Sequence, residues 1–205
     1  MRRAGRVAQL LFGLFLAAFG IVLTLRAGLG VSPWDVLHGG VAERSGIAFG
    51  TVVQLVGAVV LALSLLLGVR PGFGTISNLV LIGAFENVLL DLGLGDVSHG
   101  PLAWRVLLLA AGTVLIGVAA ALYIGAHFGA GPRDGLMVAL HTRFGWSIGW
   151  ARTLVEASAL LAGVLLGGPV GPGTALYTVS IGPATQVAFR VLRMTPVRET
   201  TTEPI

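Results

Sequence analysis

The sequence predicts an all-α polytopic membrane protein with about six transmembrane helices. Of its 205 residues, 55% are hydrophobic and only 11% are charged, a balance typical of membrane proteins. Uncharged stretches recur along the chain, each near the roughly 20 residues that a helix needs to cross a bilayer. We therefore expect one integral membrane domain over residues 1–205, with spans at residues 7–25, 49–68, 74–92, 106–124, 149–167 and 174–190.

An internal repeat supports this division of the chain. Residues 6–90 align with residues 105–189 without a gap, and about 28 of the paired positions are identical. Each copy holds three spans, an odd number, so the second copy must enter the membrane from the opposite side. The sequence thus predicts two inverted three-span repeats. The matched polar and glycine positions include Pro33 with Pro132, Asp35 with Asp134, Arg44 with Arg143, Gly50 with Gly149, and Gly83 with Gly182.

A short polar segment follows the first span of each repeat. In the first copy, Ser32 is placed to cap a helix that starts with a proline and carries Asp35 at its third position. Residues 33–43 and 132–143 are too few to cross the bilayer, so we expect interfacial or re-entrant helices. Two interpretations of Asp35 and Asp134 stay open. They cap helices at the membrane surface, or they approach the membrane centre from opposite faces and bind a charged solute.

Polar residues inside the predicted spans are the second group of candidates. Such residues are costly in a bilayer and therefore face the interior of the bundle or water. Arg152 and Glu156 lie four residues apart and can pair on one helix face, which makes a structural pair the alternative to a binding role. Glu86 has no basic neighbour on its own helix. We therefore expect it either to lie on a solute pathway or to be hydrated near the membrane surface. The candidate substrate-binding residues are Asp35, Asp134, Glu86, Asn78, Arg152 and Glu156.

Several other residues are assigned positions at the membrane surface. Trp34 and Trp104 are typical of anchors at the membrane–water interface, and His38 is expected there as well, with a proton relay as the alternative. The turns GFGT and GPGT precede the third and sixth spans, and we expect Thr75 and Thr174 to cap those helices.

The arginine distribution predicts the orientation of the chain. With the N-terminus inside, three arginines fall on the outer side, at Arg26, Arg44 and Arg105. The positive-inside rule therefore predicts a multi-pass protein of the bacterial inner membrane with both termini in the cytoplasm. The arginines that this topology places inside are Arg2, Arg3, Arg6, Arg70, Arg133, Arg143, Arg190, Arg193 and Arg198.

Composition also argues against several functions. The chain has no cysteine, so it has neither disulfides nor a thiolate metal site. Its four histidines lack metal-ligand spacing, no serine lies in a nucleophile elbow, and no basic domain indicates nucleic-acid binding. We expect no enzyme activity, no catalytic residue, no metal and no cofactor. The expected partners are the lipid bilayer, a small solute and a second copy of the chain.

Two segments of the first repeat resemble a known group of proteins. The run GLGVSPWDVLHGGVAERSGIAFGTV at residues 28–52 and the run RPGFGTISNLVLIGAFENVLLDLG at residues 70–93 resemble the YczE/YitT-type integral membrane proteins of bacteria. The second repeat carries only the weaker GPRDG and GPGT forms of these motifs. The resemblance implies an integral membrane protein without naming a substrate. The favoured function is a small secondary transporter or permease, and the alternative is a non-transporting membrane factor that supports or regulates a partner protein.

Overall fold

The computed structural model describes residues 3–93, 97–129 and 131–194. This part of the chain contains eight α-helices and no β-strand, which confirms the all-helical fold. Arg2 and Arg198, which entered the orientation argument, lie outside the described residues. The helices are α1 (Arg3–Ala27), α2 (Pro33–Ser45), α3 (Phe49–Leu66), α4 (Phe73–Asp91), α5 (Leu102–Gly125), α6 (Pro132–Phe144), α7 (Ile148–Leu165) and α8 (Pro172–Val191).

Five of the described helices, α1, α3, α4, α5 and α7, are long and apolar enough to cross a membrane. Large apolar side chains such as Leu66, Leu107 and Leu161 are exposed on their outer surfaces, as expected for helices that contact lipid. Helix α8 has the length of a span, 20 residues, but it contains Pro183 and several hydroxyl side chains. The sixth crossing therefore stays a prediction.

Helices α1 and α5 form the centre of the bundle and run antiparallel. Arg6, near the start of α1, donates from Nε to the Ala126 carbonyl at the end of α5 over 2.9 Å. Arg105, near the start of α5, donates from Nε to the Ala27 carbonyl at the end of α1 over 3.0 Å. The two arginines correspond in the repeat, and so do the two alanines. The same contact is thus made twice, once at each end of the bundle.

The glycine-rich turns before α4 and α8 join the two halves of the chain. The Gly74 N–H donates to the Phe128 carbonyl, and the Gly173 N–H donates to the Leu29 carbonyl, each over 2.7 Å. Each turn in one half therefore holds the loop that leads into the short helix of the other half. These two bonds also correspond in the repeat.

Thr75 and Thr174 were predicted to be the capping residues that precede α4 and α8, and this prediction is wrong. Helices α4 and α8 begin at Phe73 and Pro172, so each threonine lies at the third helical position rather than before the helix. From there its hydroxyl accepts a hydrogen bond from the N–H of the glycine that precedes the helix, over 3.2 Å for Thr75 and 3.3 Å for Thr174.

The predicted short helices are confirmed as the separate helices α2 and α6, each 13 residues long. Helix α2 packs on the end of α7, where Arg44 donates from Nε to the Leu166 carbonyl over 2.9 Å. Helix α6 lies beside the end of α3. Because α3 and α7 end on opposite sides of the bundle, the two short helices lie at opposite ends. Both start in the interior, and both finish at exposed residues.

Candidate functional site

A cavity of about 430 Å³ lies between the helices, and every candidate residue from the sequence lines it. These residues are Asp35 on α2, Asn78 and Glu86 on α4, Asp134 on α6, and Arg152 and Glu156 on α7. The structure therefore brings together side chains from both repeats. Four different helices supply them, and two of these are the short helices.

The start of α2 holds a buried polar cluster. The Ser32 hydroxyl donates to Asp35 Oδ2 over 2.6 Å and accepts the Asp35 backbone N–H over 3.2 Å, so the predicted cap is confirmed. His38 Nδ1 lies 3.3 Å from Asp35 Oδ1. All three residues are buried. Asp35 thus has partners on both carboxylate oxygens, and one of them is a histidine that faces the cavity.

The start of α6 carries different chemistry at the matching positions. The Gly131 N–H donates to Asp134 Oδ2 over 3.2 Å, which is the backbone cap that the sequence predicts. Arg133 stands where the first repeat has Trp34, and it lines the cavity. Its guanidinium lies near the Tyr123 hydroxyl and near the carboxylates of Asp134 and Asp35. Arg133 therefore lies near the start of α6, beside the cavity, and its assignment to the cytoplasmic side stays a prediction.

Glu86 is the acidic side chain of the cavity that has no hydrogen-bond partner in the described part of the chain. The residue is 0% exposed, which contradicts a hydrated position near the surface. No donor in the described part of the chain lies within hydrogen-bond distance of either carboxylate oxygen. Its electrostatic neighbours are Asp35 and Arg133. Asn78 and Ile82 lie on the same face of α4 and also line the cavity.

Arg152 and Glu156 form the ion pair that their spacing predicts. Arg152 Nε lies 3.0 Å from Glu156 Oε1. The arginine side chain is 55% exposed and the glutamate side chain 25% exposed. Because both also line the cavity, the pair lies at its mouth, between the interior and the outer surface of α7.

Two residues that were expected at the membrane surface, Trp34 and His38, line the cavity instead. Trp34 is only 7% exposed, so its assignment as an interface anchor is wrong. Its ring packs in an apolar cluster with Val60, Met137 and Val155, because α2 starts inside the bundle. His38 is likewise buried rather than interfacial. Trp104 is 58% exposed on α5, and its anchoring role stays a prediction.

Two tyrosines, Tyr123 and Tyr177, also line the cavity. The repeat alone contained a clue to Tyr177, because this residue aligns with Asn78, which was already a candidate. It contained none for Tyr123, which aligns with Thr24. Both tyrosines are buried.

Similarity to known proteins agrees with these observations. A family of unknown function, DUF6198, matches residues 4–190. The chain is 36% identical over 190 residues to an uncharacterised protein of Haemophilus influenzae, covering 93% of this chain and 86% of the relative. It is 35% identical over 172 residues to the uncharacterised membrane protein YczE of Bacillus subtilis, covering 83% and 79%. It is 31% identical over 175 residues to the uncharacterised protein YyaS of Bacillus subtilis, covering 83% and 85%.

No solved structure matches the chain. The relative named as a membrane protein and the five apolar helices together identify an integral membrane protein that contacts the lipid bilayer. The resemblance to YczE is confirmed by its identity over most of the chain, and the chain belongs to the family of unknown function DUF6198.

Proposed function

We propose that this protein is a small secondary transporter or permease rather than an enzyme. The observation that carries the proposal is the convergence of six polar residues from four helices on one cavity. Charged groups inside a membrane protein are costly to keep and typically mark a solute or ion pathway. The cavity volume lies within the roughly 300–1,000 Å³ that small-molecule sites occupy. A small solute is therefore the expected ligand.

We further propose that the chain forms six spans in two inverted repeats, with α8 as the sixth span and both termini in the cytoplasm. The antiparallel α1 and α5 support this topology, since Arg6 and Arg105 make matching contacts at opposite ends. The short helices at opposite ends of the bundle would then be re-entrant and reach the cavity from the two membrane faces. Such broken segments at corresponding positions are common at transporter binding sites.

The topology is tested by cysteine accessibility, for which the chain provides a background without native cysteine. Single cysteines are placed along residues 30–45 and 129–144, and impermeant thiol reagents are applied from each side of the membrane. We expect the two windows to label from opposite faces, with labelling that reaches the helix starts at Pro33 and Pro132. Labelling of both windows from one face would contradict the inverted topology.

Transport itself is tested with the purified chain in lipid vesicles loaded against a panel of small charged and zwitterionic solutes. We expect uptake of at least one solute to exceed that of empty vesicles, and we expect the double variant Asp35→Asn, Asp134→Asn to lose it. Glu43→Gln is the matched control, because Glu43 is an exposed acid on α2 outside the cavity. Uptake that survives the double variant would remove both aspartates from the site.

A second candidate function is that of a non-transporting membrane factor that supports or regulates a partner. The hydrogen bonds of Asp35 to Ser32 and of Asp134 to the Gly131 N–H favour it, because both carboxylates do have local structural partners. This function predicts that Asp35→Ser, which keeps a short polar side chain near the cap, is harmless in cells. Transport predicts that the loss of charge abolishes activity. A second copy of the chain remains a proposed partner, and the mass of the purified protein in nanodiscs measures it.

A further inference from the structure

We propose that the cavity binds a solute through a positively charged N–H group, such as an ammonium, and that Glu86 is the residue that accepts it. The proposal rests on the proposed function and narrows its substrate class. It starts from the charges on the cavity wall. Four carboxyl groups, at Asp35, Glu86, Asp134 and Glu156, face two guanidinium groups, at Arg133 and Arg152.

Three of the four carboxylates have partners within the chain. Asp35 accepts from Ser32, Asp134 accepts from the Gly131 N–H, and Glu156 accepts from Arg152. Glu86 alone among them has no donor in the described part of the chain, although it is fully buried. An ionised carboxylate is only an acceptor, and a buried one without donors is expensive. A ligand that brings N–H donors and a positive charge satisfies both requirements.

The rest of the wall suits the same ligand. Trp34, Tyr123 and Tyr177 line the cavity, and aromatic faces attract organic cations. The Trp34 Nε1–H is buried without an acceptor in the described part of the chain, so it offers one donor to an acceptor on the solute. Apolar residues such as Ile82, Ile116 and Val60 complete the lining. The expected solute is therefore a small amine with an apolar or aromatic body.

Three probes of similar size and different charge test this proposal: benzylamine, benzyl alcohol and benzoate. Each is titrated against the full chain in detergent micelles while the unfolding temperature is measured. We expect benzylamine to raise the unfolding temperature, the other two probes to leave it unchanged, and Glu86→Gln to abolish the shift. Glu43→Gln, on an exposed acid outside the cavity, should keep the shift.

A shift for benzoate alone, equal shifts for all three probes, or a benzylamine shift that survives Glu86→Gln would overturn the proposal. Failure of the cation site and failure of transport are separable. Vesicle uptake of an anion would disprove the cation site and leave the transporter standing. Benzylamine binding that depends on Glu86, without uptake of any solute, would support the cation site and contradict transport.

A separate observation leads to a second proposal, which concerns the seam between the outer helices of each half. In the first half, α3 packs along α4. Gly50 and Gly83 meet there so closely that a Cβ atom on either would overlap the carbonyl of the other. The Gly50 N–H also donates to Asn87 Oδ1 over 2.8 Å. This seam is closed.

The second half repeats both glycines, as Gly149 and Gly182, but α7 and α8 make almost no contact. A Cβ atom on either glycine would meet no other atom within 4 Å. Gly182 lines the cavity, as do Arg152 and Thr178, so the cavity opens between these two helices. Gly182 lies in the interior of α8, where glycine is less stable than alanine, and in the open seam it makes no close contact that would offset this cost.

We infer that the α7–α8 seam closes in a second conformation, with Gly149 against Gly182 as Gly50 now lies against Gly83. If the halves are inverted repeats, closure of one seam is matched by opening of the other. The cavity would then be exposed first to one side of the membrane and then to the other, through helices that slide against each other. This inference also rests on the proposed function, but its first test does not require a known solute.

The double variant Gly149→Cys, Gly182→Cys measures closure directly, because a disulfide forms only when the two Cα atoms approach to about 4.4–6.8 Å. Oxidation with copper phenanthroline in native membranes should cross-link this pair several-fold more than the control pair Gly149→Cys, Val187→Cys. Val187 is 56% exposed on α8, and it lies five residues from Gly182, on a different helix face. Cross-linking no greater than the control would overturn the inference.

Alanine variants provide the second test. Gly83→Ala should lower the unfolding temperature, because its methyl group meets the α3 backbone. Gly182→Ala should not lower the unfolding temperature, because its methyl group meets no neighbouring atom, and it should slow uptake of any solute that the vesicle assay identifies. Equal effects of the two substitutions on unfolding would show that the seams do not differ, and that result would contradict the inference.

Discussion

The two short helices occupy matching places in the two halves, but they pack against their neighbours differently. Where α2 meets α7, Gly163 lies against the backbone of Val36 and Leu37, so closely that a Cβ on the glycine would come within 2.5 Å of the Leu37 nitrogen. Where α6 meets α3, the corresponding pair is Ser64 and Gly135, and a Cβ on Gly135 would lie 3.7 Å from Ser64 Oγ. The glycine lies on the long helix at the first interface and on the short helix at the second.

This difference shows how two contacts between aligned residues become asymmetric. Gly163 on the long helix α7 allows the backbone of α2 to approach closely, whereas Gly135 on the short helix α6 lies beside the Ser64 side chain of α3. The end of the bundle closed by α2 is thereby packed tightly, and Arg44 adds hydrogen bonds to the carbonyls that finish α7. At the other end, the structure shows no bond from Arg143 to the end of α3 among the described residues. The looser end is also the one at which the α7–α8 seam is open.

Exchanging the interface residues should have the largest effect. Gly163→Ser puts the side chain of the second interface into the first, where the α2 backbone must move, and we expect a loss of about 1–3 kcal/mol in the free energy of unfolding. Ser64→Gly is the reciprocal change and should cost only about 1 kcal/mol, through helix propensity. Denaturant unfolding in mixed micelles measures both. Similar losses for the two variants would show that the interfaces do not differ in packing.

Ser32→Ala should have the next largest effect. The substitution removes a helix cap worth about 1 kcal/mol and also removes the hydroxyl that donates to Asp35. The buried carboxylate then keeps only His38 within reach. We expect a loss of about 1–2 kcal/mol in the free energy of unfolding. Ser77→Ala, in the interior of α4, is the control because its hydroxyl bonds only a carbonyl of its own helix. An equal loss in the control would exclude a special role for the cap.

Arg44→Ala and Arg143→Ala compare the two ends directly. Arg44 bonds the carbonyls of Leu165 and Leu166, but its exposed position reduces what those bonds contribute. We expect Arg44→Ala to cost about 0.5 kcal/mol and Arg143→Ala to leave the stability unchanged. Parallel thermal unfolding curves measure the difference. A larger cost for Arg143→Ala would mean that the end closed by α6 is the more tightly held one.

Hydropathy was enough to predict the helices, and the repeat pointed to Asp35 and Asp134, because this carboxylate position is present in both copies. The other four candidates were predicted because polar residues inside spans are costly. The prediction failed at a position where the two copies differ. Trp34 and Arg133 align with each other, yet each was interpreted from its residue type, the first as an interface anchor and the second as a positive charge on the cytoplasmic side. Hydropathy and charge rules place a residue relative to a membrane, and they do not detect that a helix begins inside the bundle. That position depends on contacts between distant parts of the chain, such as the bond from Gly173 to Leu29.

The smallest predicted effect comes from giving α6 the cap that α2 has. Gly131 has an extended backbone, with φ −64° and ψ 164°, which is close to that of Ser32, with φ −59° and ψ 155°. A Cβ there would make ordinary contacts, 3.4 Å from Asn78 Nδ2 and 3.4 Å from Asp134 Oδ2. Gly131→Ser should therefore fit without strain and stabilise the protein by a few tenths of a kcal/mol, the usual difference between serine and glycine at this position.

The same substitution tests how far the two aspartates differ in function. The new hydroxyl would donate to Asp134 as Ser32 donates to Asp35, which would draw the Asp134 carboxylate away from Arg133. If Arg133, and not Asp134, takes part in solute binding, Gly131→Ser should raise the stability and leave benzylamine binding at Glu86 intact. A loss of benzylamine binding would mean that Asp134, and not only Glu86, accepts the cation. The two short helices would then share one role despite their different packing.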